Sequence, residues 1–186
     1  MRKRLLSLQN SLAALVGILL AGATIVGCQD TPDGPEASLD SSLDSVVRVE
    51  LLPAQSEVTV GDTVLFSIQV YANRGISAGD IELSFVPEYI QLVAFGDGDA
   101  LGPSPIRGID HIDNNSGSAR IALARVGPSD IGSPVDTTLV TVMLEIVASP
   151  PDKQLSLNIA QVELVDGEYN ILADVVTNQA SLVLAP

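Results

Sequence analysis

Hydrophobic and polar residues alternate along most of the chain after Val46. In the segment Thr63–Tyr71, a hydrophobic residue occupies every second position from Val64 to Val70. The segment Asp80–Phe85 alternates in the same way, with acidic side chains at two of its polar positions. Because successive side chains of a β-strand point to opposite faces of the sheet, this alternation predicts strands with one buried and one solvated face.

Further hydrophobic runs are separated by Gly, Pro, Asn and Asp, and no segment has a convincing helical period beyond two turns. The dipeptide Asp166–Gly167 lies between two such runs, which is typical of a two-residue β-hairpin turn. Turn residues also occur at Gly61–Asp62 and Asn114–Gly117. About nine strands in residues 46–186 predict an all-β domain built as a two-sheet sandwich. The further runs are Val46–Leu52, Val58–Val60, Ile90–Phe95, Ile106–Ile112, Ala119–Val126, Thr138–Ala148, Leu155–Val165 and Ala180–Leu184.

The first 28 residues have the three parts of an export signal. The basic Met1–Arg4 precedes the apolar Leu12–Val26, which is shorter than the roughly 20 residues that a membrane-spanning helix needs. The segment Ile25–Cys28 resembles the lipobox of bacterial lipoproteins. This resemblance implies cleavage before Cys28, a lipid on its sulfur and an anchored location at the cell envelope, and Gln29 favours the outer membrane or cell surface. The alternative is an ordinary secretory peptide or an uncleaved anchor.

The residues after Cys28 are polar and acidic. Gln29–Ser45 contains five acidic side chains, no basic ones and few apolar ones. Such a segment does not bury enough surface to offset the entropy lost on ordering, so we expect a flexible tether. The sequence is therefore divided into a signal peptide (1–27), an acidic flexible linker (28–45) and a β domain (46–186).

Charge and composition exclude several functions. Without residues 1–27, six basic side chains stand against 23 acidic ones, a net charge of −17. Nucleic-acid binding relies on Lys and Arg displacing counterions from phosphates, so we expect no nucleic-acid partner. One Cys and one His exclude an internal disulfide and a zinc site of the Cys/His type. The sequence therefore predicts a protein that is not an enzyme and carries no cofactor.

The order of segments in the β domain resembles that of the cohesin domain. The resemblance rests on Val60–Val64, Gly79–Pro87, Ser116–Ala124 and Leu139–Ile146, and it extends over residues 46–186. It implies a nine-stranded jelly-roll β-sandwich of the kind that binds dockerin modules in cellulosome scaffoldins. The cellulose-binding modules that share this fold resemble the chain more loosely.

The resemblance also implies a binding surface. Cohesins commonly bind dockerin helices through one face of the sandwich, which corresponds here to Gly79–Phe85, Ile106–Ile112 and Ala119–Val126. Asp80 stands where many cohesins carry a recognition Asp, while Ala78 replaces the Asn that precedes it by two residues. Arg125 stands near a position where an acidic contact residue is frequent. The candidate partner-binding residues are Asp80, Glu82, Asp113 and Arg125.

The acidic residues and the single histidine also have simpler explanations. Outward acids such as Asp80 and Glu82 are typical of a solvated strand face that discourages edge pairing. Oxygen ligands for Ca²⁺ are available, but their spacing does not fit an EF-hand, and tight turns use the same residue types, so we assign no metal. His111 alternates with Ile112 and is expected to be a surface residue of a strand. The possible calcium ligands are Asp97, Asp99, Asp110 and Asp113.

Aromatic residues separate two binding functions. A module that binds flat polysaccharide usually offers a row of exposed aromatic rings, and Tyr71, Tyr89 and Tyr169 do not form an obvious row. The sequence predicts a lipid-anchored, non-catalytic envelope protein whose cohesin-like domain binds a protein partner, dockerin-like or other. The alternative is a carbohydrate-binding module that takes part in polysaccharide binding or catabolism.

Overall fold

The described part of the chain is built of β-strands. A computed structural model describes residues 46–128 and 133–185. Within these residues there is no helix, and so none that is long and apolar enough to cross a membrane. The signal peptide (1–27), Cys28 and the linker (28–45) lie outside the described residues. The strands are β1 (Arg48–Leu52), β2 (Gln55–Val58), β3 (Thr63–Ala72), β4 (Ile76–Ser84), β5 (Ile90–Asp97), β6 (Ile106–Asp113), β7 (Ser118–Ala124), β8 (Val135–Ile146), β9 (Gln154–Asp166), β10 (Val176–Thr177) and β11 (Gln179–Leu184).

The strands form two sheets that pack against each other as a sandwich. The five-stranded sheet has the order β10-β1-β3-β8-β5, and the six-stranded sheet has the order β2-β11-β9-β4-β7-β6. Neighbouring strands are antiparallel except for β1 with β10 and β2 with β11, which are parallel. The predicted all-β sandwich is confirmed.

The described residues contain eleven strands rather than the predicted nine. The short β10 consists of Val176 and Thr177 alone, and it is a strand because it pairs with β1. The hydrophobic run predicts Val58–Val60, whereas β2 covers Gln55–Val58 because it pairs with β11. Strands that depend on a distant partner need no alternation of their own, which is why local patterns miss them.

Alternation identifies the core correctly. The side chains of Phe66, Ile68 and Val70 in β3 are completely buried, and those of Ile81 and Leu83 in β4 are buried as well. The side chains between them are half-buried or exposed. The inward side chains of both sheets form one hydrophobic cluster, so each sheet buries one face and leaves the other for solvent or a partner.

Two asparagine side chains complete the hydrogen bonding of strand edges. In β1, the backbone N–H of Leu51 donates to Oδ1 of Asn178 at 2.6 Å, and Nδ2 of Asn178 donates back to the Leu51 carbonyl at 3.1 Å. Asn114 makes the same pair of bonds with Leu92 of β5, at 2.9 and 3.0 Å. Each side-chain amide thus replaces the peptide group of a neighbouring strand, which satisfies backbone groups at a sheet edge.

The predicted two-residue hairpin at Asp166–Gly167 is wrong. Val165 pairs with Ile171, so the turn is longer, and the positive φ of 66° falls on Tyr169 rather than on Gly167. The reason is the buried carboxylate of Asp166, which accepts the backbone N–H groups of Glu168 and Asn170, both at 2.9 Å. These backbone hydrogen bonds, above all the one from Asn170, lower the pKa of Asp166.

Candidate partner-binding face

The three segments assigned to a binding surface are neighbours in the structure. In the six-stranded sheet, β4 lies between β9 and β7, and β6 follows at the edge. Gly79, Ile81 and Leu83 of β4 point into the sandwich, so Asp80 and Glu82 point outward. We call the outward surface of β9, β4, β7 and β6 the candidate face.

Asp80 and Arg120 form an ion pair on the candidate face. Nε of Arg120 lies 2.9 Å from Oδ1 of Asp80, and Nη2 lies 2.6 Å from Oδ2, so the pair is bidentate. The hydrogen bonds and charge of Asp80 raise the pKa of Arg120, and the charges of Glu82 and Glu163 contribute less. Both side chains are partly exposed, so the pair contributes little to stability but holds two charged groups in a defined geometry.

Beside this ion pair lies a shallow apolar depression of about 260 Å³. Its floor consists of small residues because β4 and β7 carry Ala78, Ala122 and Ala124 at outward positions. In β6, Gly108 also lines it, and Ile106, whose side chain is 60% exposed, stands at its margin. A concave apolar surface in the middle of a polar sheet face is a common feature of binding sites.

The rim of the depression is acidic. Asp80 and Glu163 both line it, and they are directly opposite each other in the pairing of β4 with β9. Within residues 46–128 and 133–185, Glu82 and Glu163 take part in no salt bridge, whereas Asp80 is paired with Arg120. The candidate face therefore offers an apolar centre surrounded by more negative than positive charge.

Asp113 and Arg125, also predicted to contact a partner, are engaged in internal contacts. The carboxylate of Asp113 accepts the backbone N–H of Asn115 at 2.9 Å, and its hydrogen bonds to Ser116 and Asn115 lower its pKa. The guanidinium of Arg125 donates to the carbonyl oxygens of Ala100 at 3.0 Å and Ile76 at 3.4 Å. The structure therefore places Asp80 at the rim of the depression and Glu82 on the same outward face without lining the depression, and it gives Asp113 and Arg125 roles in holding loops.

Arg107 joins the open edges of the two sheets. From β6 it reaches Asp97 of β5 at 2.8 Å, and it also donates to the carbonyl oxygen of Phe95 at 3.2 Å and pairs with Asp110. The hydrogen bond that Arg107 donates to Asp110, followed by the one that it donates to Asp97, raises the pKa of Arg107, while desolvation by burial lowers it. Two of the four aspartates considered as calcium ligands are thus used to hold this arginine.

Among the described residues, the candidates for a metal site are acidic side chains, and the candidate for a histidine base is His111. Among residues 46–128 and 133–185, no group of three or more His, Cys, Asp or Glu side chains is placed to hold a metal ion. His111 is exposed on β6 and lies opposite Arg120 of β7, as expected for a surface strand residue.

Sequence reasoning missed the residues that give the candidate face its shape. Arg120, Ala122 and Ala124 alternate with the buried Ile121 and Leu123 along β7. Their alternation was a sufficient signal for their outward position. Alternation along β7 does not show that Asp80 lies within reach of Arg120, because that contact depends on the register between β4 and β7.

The described domain is similar in structure to several solved cohesins. A non-cellulosomal cohesin from the archaeon Archaeoglobus fulgidus is 12% identical, with a TM-score of 0.60 over 75% of this chain and 91% of the other. The third cohesin ScaC of Acetivibrio cellulolyticus, solved in complex with the ScaB dockerin, is 16% identical, with a TM-score of 0.62 over 75% and 99%. A type I cohesin–dockerin complex from Clostridium thermocellum gives 10% identity and a TM-score of 0.61 over 75% and 99%.

Comparison of the sequence with family models and with curated proteins finds no match. The structural likeness confirms the predicted cohesin-like sandwich. At sequence identities of 10% to 16%, this structural likeness shows the fold alone.

Proposed function

We propose that the chain is a lipid-anchored, non-catalytic protein of the cell envelope whose cohesin-like domain binds a protein partner through the candidate face. The observation that carries this proposal is the apolar depression with its acidic rim on the outer side of β9, β4, β7 and β6. The fold supports it, because the cohesins from Acetivibrio cellulolyticus and Clostridium thermocellum were solved as complexes with dockerins.

The candidate face defines the chemistry of the partner. Its apolar floor favours an aliphatic side chain, whose burial contributes about 1.5–3 kcal/mol when complete. Its acidic rim favours Lys or Arg next to that side chain, since opposite charges across an interface increase association rates and specificity. We therefore propose a dockerin-like or other protein partner that presents an aliphatic residue flanked by basic ones.

Charge reversal at Asp80 tests this assignment. In Asp80→Lys, a cation replaces one acid of the rim and faces Arg120, so we expect capture of the partner from envelope extract of the native host to fall at least about tenfold. Because the Asp80–Arg120 pair is partly exposed, the melting temperature is expected to change little. Capture is measured by quantitative mass spectrometry of proteins retained on the immobilised chain.

Glu145→Lys is the matched control for that experiment. Glu145 is exposed on β8 in the opposite sheet, so the variant makes the same charge change away from the candidate face. It should retain the partner as the wild type does. Equal capture by Asp80→Lys and the wild type would show that this face is not the binding surface.

The lipid anchor is a separate part of the proposal. Cys28 is the only thiol in the chain, and the segment before it resembles a lipobox. Metabolic labelling with an alkynyl palmitate should mark the wild type and fail to mark Cys28→Ala, because the thiol of Cys28 is the proposed site of acylation. Ser38→Ala, a small change elsewhere in the same region, should label normally. Labelling of Cys28→Ala at the wild-type level would overturn the anchor.

A further inference from the structure

A second concave site lies on the same outer surface of the six-stranded sheet, away from the depression. It lies over the beginning of β9 and over β11. This groove has a volume of about 590 Å³, within the usual range of small-ligand sites. One wall is the connection between β4 and β5, with Val86 and Tyr89, and the other is the connection between β8 and β9, with Pro150, Pro151 and Asp152. The floor carries Gln154 and Ser156 of β9 and Gln179 and Ser181 of β11.

Both walls are held by backbone hydrogen bonds. In the first, the N–H of Ile90 donates to the carbonyl of Val86 at 3.0 Å, and the N–H of Val147 donates to the carbonyl of Tyr89 at 2.9 Å. In the second, the N–H of Lys153 donates to the carbonyl of Pro150 at 3.1 Å. The two prolines restrict φ further, so the groove is formed before any ligand arrives and little ordering entropy opposes binding.

The floor of the groove offers unused hydrogen-bonding groups. Among the described residues, the side-chain amides of Gln154 and Gln179 and the hydroxyl of Ser181 have no hydrogen-bond partner within the protein. Amides and hydroxyls present both donors and acceptors. Sugar hydroxyls are likewise donors and acceptors at once, and the Tyr89 ring on the wall supplies an apolar surface for the C–H face of a pyranose.

The charge of the groove selects against ionic ligands. Asp152 is the single charged residue among the described residues that line it, so an anionic ligand would meet no Lys or Arg. One carboxylate also provides too few oxygens for Ca²⁺, which takes six to eight. From the ring, the free amides and the near-neutral lining, we propose that this groove binds a neutral oligosaccharide, independently of the partner at the candidate face.

A glycan array tests the proposal, with the full chain purified in a detergent that has no sugar headgroup. We expect binding to one or more neutral glycans, and isothermal titration with each such glycan should show at least about tenfold weaker affinity for Tyr89→Leu and for Gln179→Ala. Leucine preserves the apolar packing of the half-buried Tyr89 while removing its ring. Gln179 is exposed, so its variant tests the groove without a risk to folding.

Tyr169→Leu is the matched control, because Tyr169 is 83% exposed and lies outside the groove. It should bind glycans with wild-type affinity. The proposal is overturned if the wild type binds no neutral glycan, if charged glycans or peptides bind in their place, or if folded Tyr89→Leu and Gln179→Ala bind as tightly as the wild type.

Discussion

Gly117→Ala is expected to destabilise the domain by clearly more than the roughly 1–2 kcal/mol that a left-handed backbone conformation costs an alanine. Gly117 has a φ of 71°, and an added Cβ would clash with the carbonyl oxygen of Phe85 and lie 2.8 Å from Cδ of Pro87. The carbonyl of Gly117 accepts the N–H of Phe85 at 2.9 Å, so a shift that relieved the clash would disturb this bond. Urea unfolding of the full chain, monitored by fluorescence and circular dichroism, measures the effect.

Gly61→Ala separates the two contributions. Gly61 also has a positive φ, of 95°, but an added Cβ would have no neighbour within 4 Å. This variant therefore retains the backbone cost without the steric one, and it should be destabilised by only about 1–2 kcal/mol. Equal losses in the two variants would contradict the close packing of the β6–β7 turn against the end of β4.

The sandwich and its core were predictable because they depend on local alternation. The side chains of β3 and β4 alternate between core and surface, and so Phe66, Leu83 and their neighbours were assigned correctly. The turn at Asn114–Gly117 was equally predictable, since a tight turn with a positive φ requires glycine. A strand that buries one face has hydrophobic residues at every second position, so its burial can be read from the sequence.

Features that depend on distant contacts were not predictable. The turn after β9 follows the buried carboxylate of Asp166, which organises the backbone around itself, and nothing in the Asp–Gly dipeptide indicates that burial. Asn114 and Asn178 look like ordinary turn residues, yet each completes the hydrogen bonds of a strand 22 or 127 residues away. Their roles follow from how the two sheets meet.

The candidate face was predictable in part. Alternation and the cohesin resemblance placed Asp80 and Glu82 on the outside of β4, where the structure has them. The depression beside Asp80 arises because Ala78 of β4 pairs with Ala124 of β7, and Gly108 of β6 lies at a register shift in the pairing of β6 with β7. The depression is formed by residues from several strands together, so the sequence of one strand does not predict it.

That shape leads to the strongest expected effect on binding. In Ala122→Arg, a long side chain would start from the floor of the depression and fill it, and its guanidinium would lie among the acids of the rim. Both the apolar contact and the charge complementarity would be lost, so we expect affinity for the captured partner to fall by at least about 100-fold, the loss typical of an interface hot spot. Ala122 is outward and only half-buried, so the fold should tolerate the substitution.

Ala160→Arg provides the comparison that isolates this effect. Ala160 is exposed at an irregularity in the pairing of β9 with β4, and it does not line the depression. The variant therefore adds the same side chain and charge to the same sheet without filling the concave surface. If binding requires the depression itself, Ala160→Arg should bind nearly as the wild type does while Ala122→Arg does not. Equal losses would mean that added positive charge alone weakens binding, and equal retention would place the partner elsewhere on the domain.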